Sequence, residues 1–184
     1  NDRFFWSRQI GAKMPEKPVN VYFAEEAYDH ISEKFKEEKN VNFVKLEFGK
    51  TYTISDLEVT VLRGMHSTVN EKYSANYLVK LSDGRMLYYG VDSGYYIDET
   101  FDALKNHKLD IFISECTYPR ERPIEESVAN HMDLSRCVEN MDKLYENGTE
   151  ITSSVKLLSK SSVVESYFGF IEGAEYKLVI SASD

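Results

Sequence analysis

Apolar residues follow two rhythms along this chain. Stretches that alternate, or run continuously apolar with β-branched and aromatic side chains, predict strands over residues 19–23, 41–48, 52–62, 76–81, 86–91, 109–114 and 155–158. Helices show the longer period. Ala24, Tyr28, Ile31 and Phe35 recur at spacings of four, three and four, so 25–38 is a helix with one apolar face and a solvated face of acids and lysines. Ile97, Phe101 and Leu104 are in phase within 95–106. Leu134, Cys137, Val138, Met141, Leu144 and Tyr145 form an apolar stripe behind Asp133, which caps the helix, and Asn147-Gly148 ends it. Residues 1–11 read as a helix with Phe4, Phe5 and Ile10 as core candidates, and 167–180 as a hairpin turning at Glu172-Gly173.

Turn chemistry supplies the punctuation. Pro15 and Pro18 bracket a connector, Asp83-Gly84 joins strands 76–81 and 86–91 as a hairpin, and 118–129 is a charged, proline-bearing loop. Hairpins first, then strands alternating with helices, predict an α/β fold: a mixed sheet with helices packed on it. At 184 residues the chain suits one domain, 1–184, with a real core.

Three of these strands end in a side chain that can hold a ligand. Met86-Leu-Tyr-Tyr stops at Gly90 and delivers Asp92 between small residues, in Gly90-Val91-Asp92-Ser93-Gly94. Leu57-Glu-Val-Thr-Val-Leu runs into Gly64-Met65-His66, and Leu109-Asp-Ile-Phe-Ile-Ser runs into Glu115-Cys116-Thr117-Tyr118. Open α/β sheets bind ligands at such C-terminal strand ends, and glycine there permits sharp turns and close approach.

Composition narrows the partners. With 31 acids against 22 bases the formal net charge is −9, which argues against a general electrostatic grip on nucleic acid. Two cysteines, Cys116 and Cys137, form no disulfide framework, so a reducing cytoplasm is the expected location. No apolar run approaches the roughly 20 residues of a bilayer span, and no signal-peptide pattern stands at the N-terminus. The run Asn1-Asp-Arg-Phe-Phe-Trp6 lacks a starting methionine and reads as the middle of a longer chain. Asn147-Gly148-Thr149 matches a glycosylation sequon but reads as a turn.

Of the four histidines, His30 falls off the apolar face of its helix and reads as exposed, and His107 stands at a helix end, where an imidazole favours the dipole. His66 and His131 sit in short loops beside regular elements. For His66 with Asp92, the choice is between metal ligation by imidazole and carboxylate and a hydrogen bond at a turn. His131 is either a general acid or transition-state donor, or a local hydrogen-bonding group before a helix. Cys116 invites a thiol-nucleophile reading, against which stands the inert core thiol. Glu115 is placed to orient a neighbouring loop but needs a partner. Tyr95-Tyr96 and the loop 118–122 are exposed-looking contacts for a base or aromatic group.

The order of motifs adds a further reading. Gly64-Met65-His66, then Tyr77-Leu78-Val79, Tyr89-Gly90-Val91-Asp92-Ser93-Gly94, Ser114-Glu115-Cys116-Thr117-Tyr118 and Asn130-His131-Met132-Asp133-Leu134-Ser135 resembles the second half of a metallo-β-lactamase-fold hydrolase. The nearest branch in wording is the phosphodiesterase-like one of cyclic phosphodiesterases and tRNase Z. The resemblance covers about residues 19–158 and implies an αββα sandwich, incomplete at its N-terminus, with two metal ions, zinc or manganese, between the sheets. Position by position, it implies that His66 ligates one metal, that Asp92 bridges both, and that His131 assists the phosphodiester reaction carried out by an activated hydroxide. Two departures accompany it. The family's His-x-His-x-Asp-His run is absent from this sequence and is expected just upstream of Asn1. The family's last ligand histidine is replaced by Ser and Lys around Leu157-Leu158-Ser159-Lys160-Ser161. Metal binding by the chain as written is therefore expected to be weak.

The expected function is that of a metal-dependent hydrolase acting on a small-molecule or nucleotide phosphodiester. The alternative is a degenerate or truncated member that keeps the fold as a binding module. With Phe4, Phe5 and Trp6 apolar and strand edges uncovered, self-association or a homodimer is also expected.

Overall fold

Residues 18–34, 41–67, 72–118, 130–152 and 155–158 are described by the structure, a computed structural model. The expected helix over 1–11, with Phe4, Phe5 and Trp6, lies outside these residues, as do Phe35, the loop 119–129, Lys160 and the hairpin 167–180. So does the side chain of His30.

The first described unit is strand β1 (Val19–Ala24), helix α1 (Glu25–Lys34) and strand β2 (Val41–Leu46). β1 and β2 pair in parallel, Val19 opposite Val41 through Ala24 opposite Leu46. A crossover helix is what a parallel pair requires.

A six-stranded mixed sheet follows, in the order β10-β8-β6-β5-β4-β3. Strands β3 (Thr51–Ile54), β4 (Leu57–Gly64), β5 (Ser74–Lys80) and β6 (Met86–Gly90) form an antiparallel meander. Strands β8 (Ile111–Glu115) and β10 (Val155–Leu158) then add in parallel beside β6. The Asp83-Gly84 hairpin forms as predicted, with Gly84 at φ +86°.

Three boundaries depart from the sequence pattern, each for a local reason. The stretch 52–62 is two strands, because Ile54 pairs with Leu57 across a two-residue turn in which Ser55 takes φ 57°. The stretch 109–114 divides at Asp110. Before it, β7 (Lys108–Leu109) pairs with β9 (Glu150–Ile151), while Asp110 itself clasps Met86, its N–H donating to the Met86 carbonyl (2.8 Å) and its carboxylate accepting from the Met86 N–H (2.9 Å). Helix α2 runs only Asp98–Leu104, because Lys105 leaves the helix with ψ 130°. His107 therefore follows a turn rather than ending a helix.

Helix α3 (Leu134–Glu146) buries Leu134, Cys137 and Leu144 of its apolar stripe, whereas Val138 of that stripe is exposed and Asn140 is buried. Asp133 caps it, its carboxylate accepting from the Arg136 N–H at 2.8 Å, and Gly148 at φ 82° closes the far end. The six-stranded sheet separates two cores. On one face Leu62, Leu78, Tyr88 and Phe112 pack under α2 and α3, against Phe101, Leu104, Leu134 and Leu144. On the other, Val61 meets Ala24 and Leu46 of the first unit, together with Phe48 just beyond it. The layers read helices, sheet, two-stranded sheet, α1.

Candidate metal centre

The functional residues gather where β4, β6 and β8 end. Each strand stops in a way its sequence dictates. A Cβ on Gly64 would lie 2.4 Å from Ser74 Oγ and 2.8 Å from Asn76 Oδ1, so β4 can pass β5 here only as glycine. A Cβ on Gly90 would fall 2.6 Å from the Tyr88 ring, which is fully buried. Beyond Gly90, Asp92 takes φ 53°, a left-handed conformation that Asp tolerates better than most residues.

Hydrogen bonds stitch the strand-end loops together. Ser93 Oγ accepts from the Met65 N–H (3.1 Å), and the Gly94 N–H donates to the Met65 carbonyl (2.7 Å). Asn130 Oδ1 accepts from the Ser67 N–H at 2.9 Å, which ties the His66 loop to the His131 loop. The His131 loop is held to β8 in turn. The Tyr118 N–H donates to the Met132 carbonyl (3.1 Å), and the Leu134 N–H to the Tyr118 carbonyl (3.0 Å).

These ties bring three donors into one place. His66 Nε2 stands 3.4 Å from Asp92 Oδ1, and His131 Nδ1 stands 3.8 Å from the same oxygen. The two imidazole rings meet edge to face, centroids 5.0 Å apart. One donor atom from each of His66, Asp92 and His131 lies within 4.8 Å of the others. Two neutral imidazoles and a carboxylate are a donor set for a borderline divalent ion such as zinc. The residues present fit such an ion.

Glu115 is the partner-seeking acid of the sequence, and the structure supplies its partners. Its side chain is buried, with Oε2 accepting from the Ser93 N–H at 2.6 Å and Oε1 accepting from Thr117 Oγ1 and meeting His131 Nδ1 at 2.6 Å. One carboxylate therefore fixes both the turn that carries Asp92 and the ring of His131. A carboxylate behind an imidazole also sets its tautomer.

Other candidates part from the site. His107 lines a shallow groove with Glu58, Lys80 and Met86. Tyr96 is buried at 3 % exposure and hydrogen-bonded to Ser114 (2.8 Å), so it offers no surface for a base. Tyr95 is half-buried, its hydroxyl donating to Glu139 and its ring under the Lys143 ammonium. Tyr118 does border the site, its ring edge-on to His131 at 6.2 Å. Cys116 is fully buried, and Cys137 donates to the Glu115 carbonyl at 2.9 Å. The neighbouring Cys116 and burial push the Cys137 thiol well above its ordinary range, so both are core thiols rather than nucleophiles.

The family model described as β-lactamase superfamily domain matches residues 8–149. The chain belongs to that superfamily. Among solved structures, the metallo-β-lactamase fold protein YhfI from Bacillus subtilis is 16% identical, with a TM-score of 0.55 over 76% of this chain and 51% of that one. A diphosphatase from the PhnP family is 15% identical, with a TM-score of 0.54 over 79% and 48%. Human tRNase Z, short form, is 11% identical, with a TM-score of 0.55 over 92% and 67%. The chain thus spans about half the length of the first two. No curated protein matches the sequence. The fold of the superfamily agrees with the layers described above, and that fold implies metal ions, for which His66, Asp92 and His131 form a candidate group.

Proposed function

We propose that this protein is a metal-dependent hydrolase of phosphodiesters, with His66 and Asp92 as metal ligands and His131 as the catalytic group. The observation that carries the reading is the convergence of His66, Asp92 and His131, three loops apart in sequence, to within 4.8 Å. Two similar structures are named a diphosphatase and a tRNase, both of which describe attack at phosphorus. Zinc or manganese suits the donors, and a pair of ions belongs to the same reading. A bound divalent ion supplies Lewis-acid polarisation of a phosphoryl oxygen and a lower pKa for water.

The chain's own residues do the rest. Asp92 brings negative charge to the cations, and its left-handed backbone is pinned through the Glu115 bond to Ser93. In hydrolysis an oxygen–phosphorus bond forms from water, the ester bond breaks, and the leaving oxygen needs a proton. His131, hydrogen-bonded to the Glu115 carboxylate at 2.6 Å, is placed to supply it. A cytoplasmic setting accords with two buried, unbridged cysteines. No helix among the described residues is long and apolar enough to cross a membrane.

The test is hydrolysis of bis-p-nitrophenyl phosphate with zinc or manganese supplied. Turnover that depends on the metal and falls about 10²-fold or more in His131→Ala supports the reading. Loss in His66→Ala and Asp92→Asn should accompany it. No metal binding and no turnover, in this chain and in one extended upstream, would leave the binding-module alternative.

A further inference from the structure

Strand β5 supplies no donor to the centre, yet its first residues surround the turn that carries Asp92. We infer that Ser74 and Asn76 are positioning residues, which fix this turn so that the Asp92 carboxylate stays beside His66. The inference rests on the metal-centre reading above and adds to it the groups that hold the acid in place.

Asp92 needs such support. Its side chain is 66 % exposed, so packing does little to locate the carboxylate. Its φ of 53° is a conformation that persists only where surrounding contacts enforce it. Ser74 Oγ donates to the Asp92 carbonyl at 3.0 Å. One residue on, Ser93 is wholly buried, and every capacity of its hydroxyl is used. Oγ accepts from the Met65 N–H (3.1 Å) and from Asn76 Nδ2 (3.4 Å), and it donates to the Gly94 carbonyl (3.3 Å). Because Met65 precedes His66 and Ser93 follows Asp92, Asn76 braces the junction of the two ligand turns.

The amide is costly where it stands. Asn76 lies opposite Leu62 on the face that packs Leu78 and Tyr88, and it is fully buried. Its Nδ2 donates to the Tyr88 hydroxyl (3.1 Å) as well as to Ser93, but Oδ1 has no partner among the described residues. A buried acceptor left unpaired destabilises a fold, and an apolar residue of similar shape in its place can be neutral or stabilising. Strand β4 yields space as well, since the Cβ that Gly64 lacks would collide with Ser74 Oγ and Asn76 Oδ1. A core amide that lowers stability and touches the ligand-bearing turn has the pattern of a group kept for its site.

The experiment sets Zn²⁺ calorimetry and Co²⁺ visible spectra beside thermal melts of the metal-free chain. Asn76→Val should melt no lower than the parent, yet bind Zn²⁺ about 10–100-fold more weakly and with an altered Co²⁺ spectrum. Hydrogen exchange of the Met65 amide should be faster in the same variant without metal. Ser74→Ala should weaken binding in the same range, and Ser74→Thr, which keeps the hydroxyl, should bind as the parent does. Thr149→Val, which removes a buried hydroxyl bonded to the Leu104 carbonyl, should also leave binding unchanged. If Asn76→Val and Ser74→Ala keep parental affinity and spectrum while Asp92→Asn loses the ion, the two residues do not position Asp92. The inference then falls, although the metal-centre reading stands. A loss of affinity in Asn76→Val that comes with a lower melting temperature would make the amide merely structural, and would also overturn it. No ion bound by the parent chain would remove the metal-centre reading and this inference together.

Discussion

Asp92 and Glu115 divide the work that a strand-end site requires. Asp92 is exposed at the tip of its turn, whereas Glu115 is buried behind it with all its contacts inside the protein. Because asparagine also tolerates the left-handed region, Asp92→Asn removes the charge without disturbing φ 53°. Its unfolding free energy in urea should stay within about 0.5 kcal/mol of the parent. Gly90→Ala is a different kind of change. The added Cβ meets the Tyr88 ring at 2.6 Å, and Tyr88 has no room to move among Tyr96 and Phe112. Overpacking of this sort should cost about 1–3 kcal/mol in the same urea titration. At this scale the sequence spoke plainly about glycine and acid at the strand end. It marked Glu115 as an acid in need of a partner but not which one, because its three side-chain partners come from residues 93, 117 and 131 and share no local pattern.

Among the elements, α3 was legible because cap, stripe and stop all fall within one window, and the structure keeps the cap, the stop and the stripe apart from the exposed Val138. Asp133→Ala should destabilise by about 1 kcal/mol, measured as a drop in the urea midpoint. The pair β3–β4 was not legible as two strands, since alternation continues through a two-residue turn and says nothing of where the chain reverses. Likewise Asp110 breaks 109–114 by clasping Met86, a partner 24 residues away. Burial of the Tyr96 and Tyr88 hydroxyls on the face under the helices raises both above the ordinary tyrosine value of 10.0. For a group raised on folding, the unfolded chain loses its proton first. Stability is then full below about pH 10 and declines as pH rises further. The melting temperature should fall from pH 10 upward, and less steeply in Tyr96→Phe.

For the whole molecule the question is what joins the layers and the site. The six-stranded sheet carries a core on each face, and its strand ends carry the donors on one rim. Any ion that binds the folded chain alone should stabilise it, by about 2.7 kcal/mol at a hundredfold excess over its dissociation constant. Chelation should reverse this rise in melting temperature. Periodicity and turn residues determined most strands and helices, because those depend on neighbours in the chain. The order of motifs pointed to the superfamily and to His66, Asp92 and His131. Only the tertiary structure decided that these three share one place, and that Glu115 stands behind two of them. The approach of the three donors and the carboxylate behind them are contacts between loops dozens of residues apart, set by sheet pairing and by the hydrogen bonds that tie those loops together.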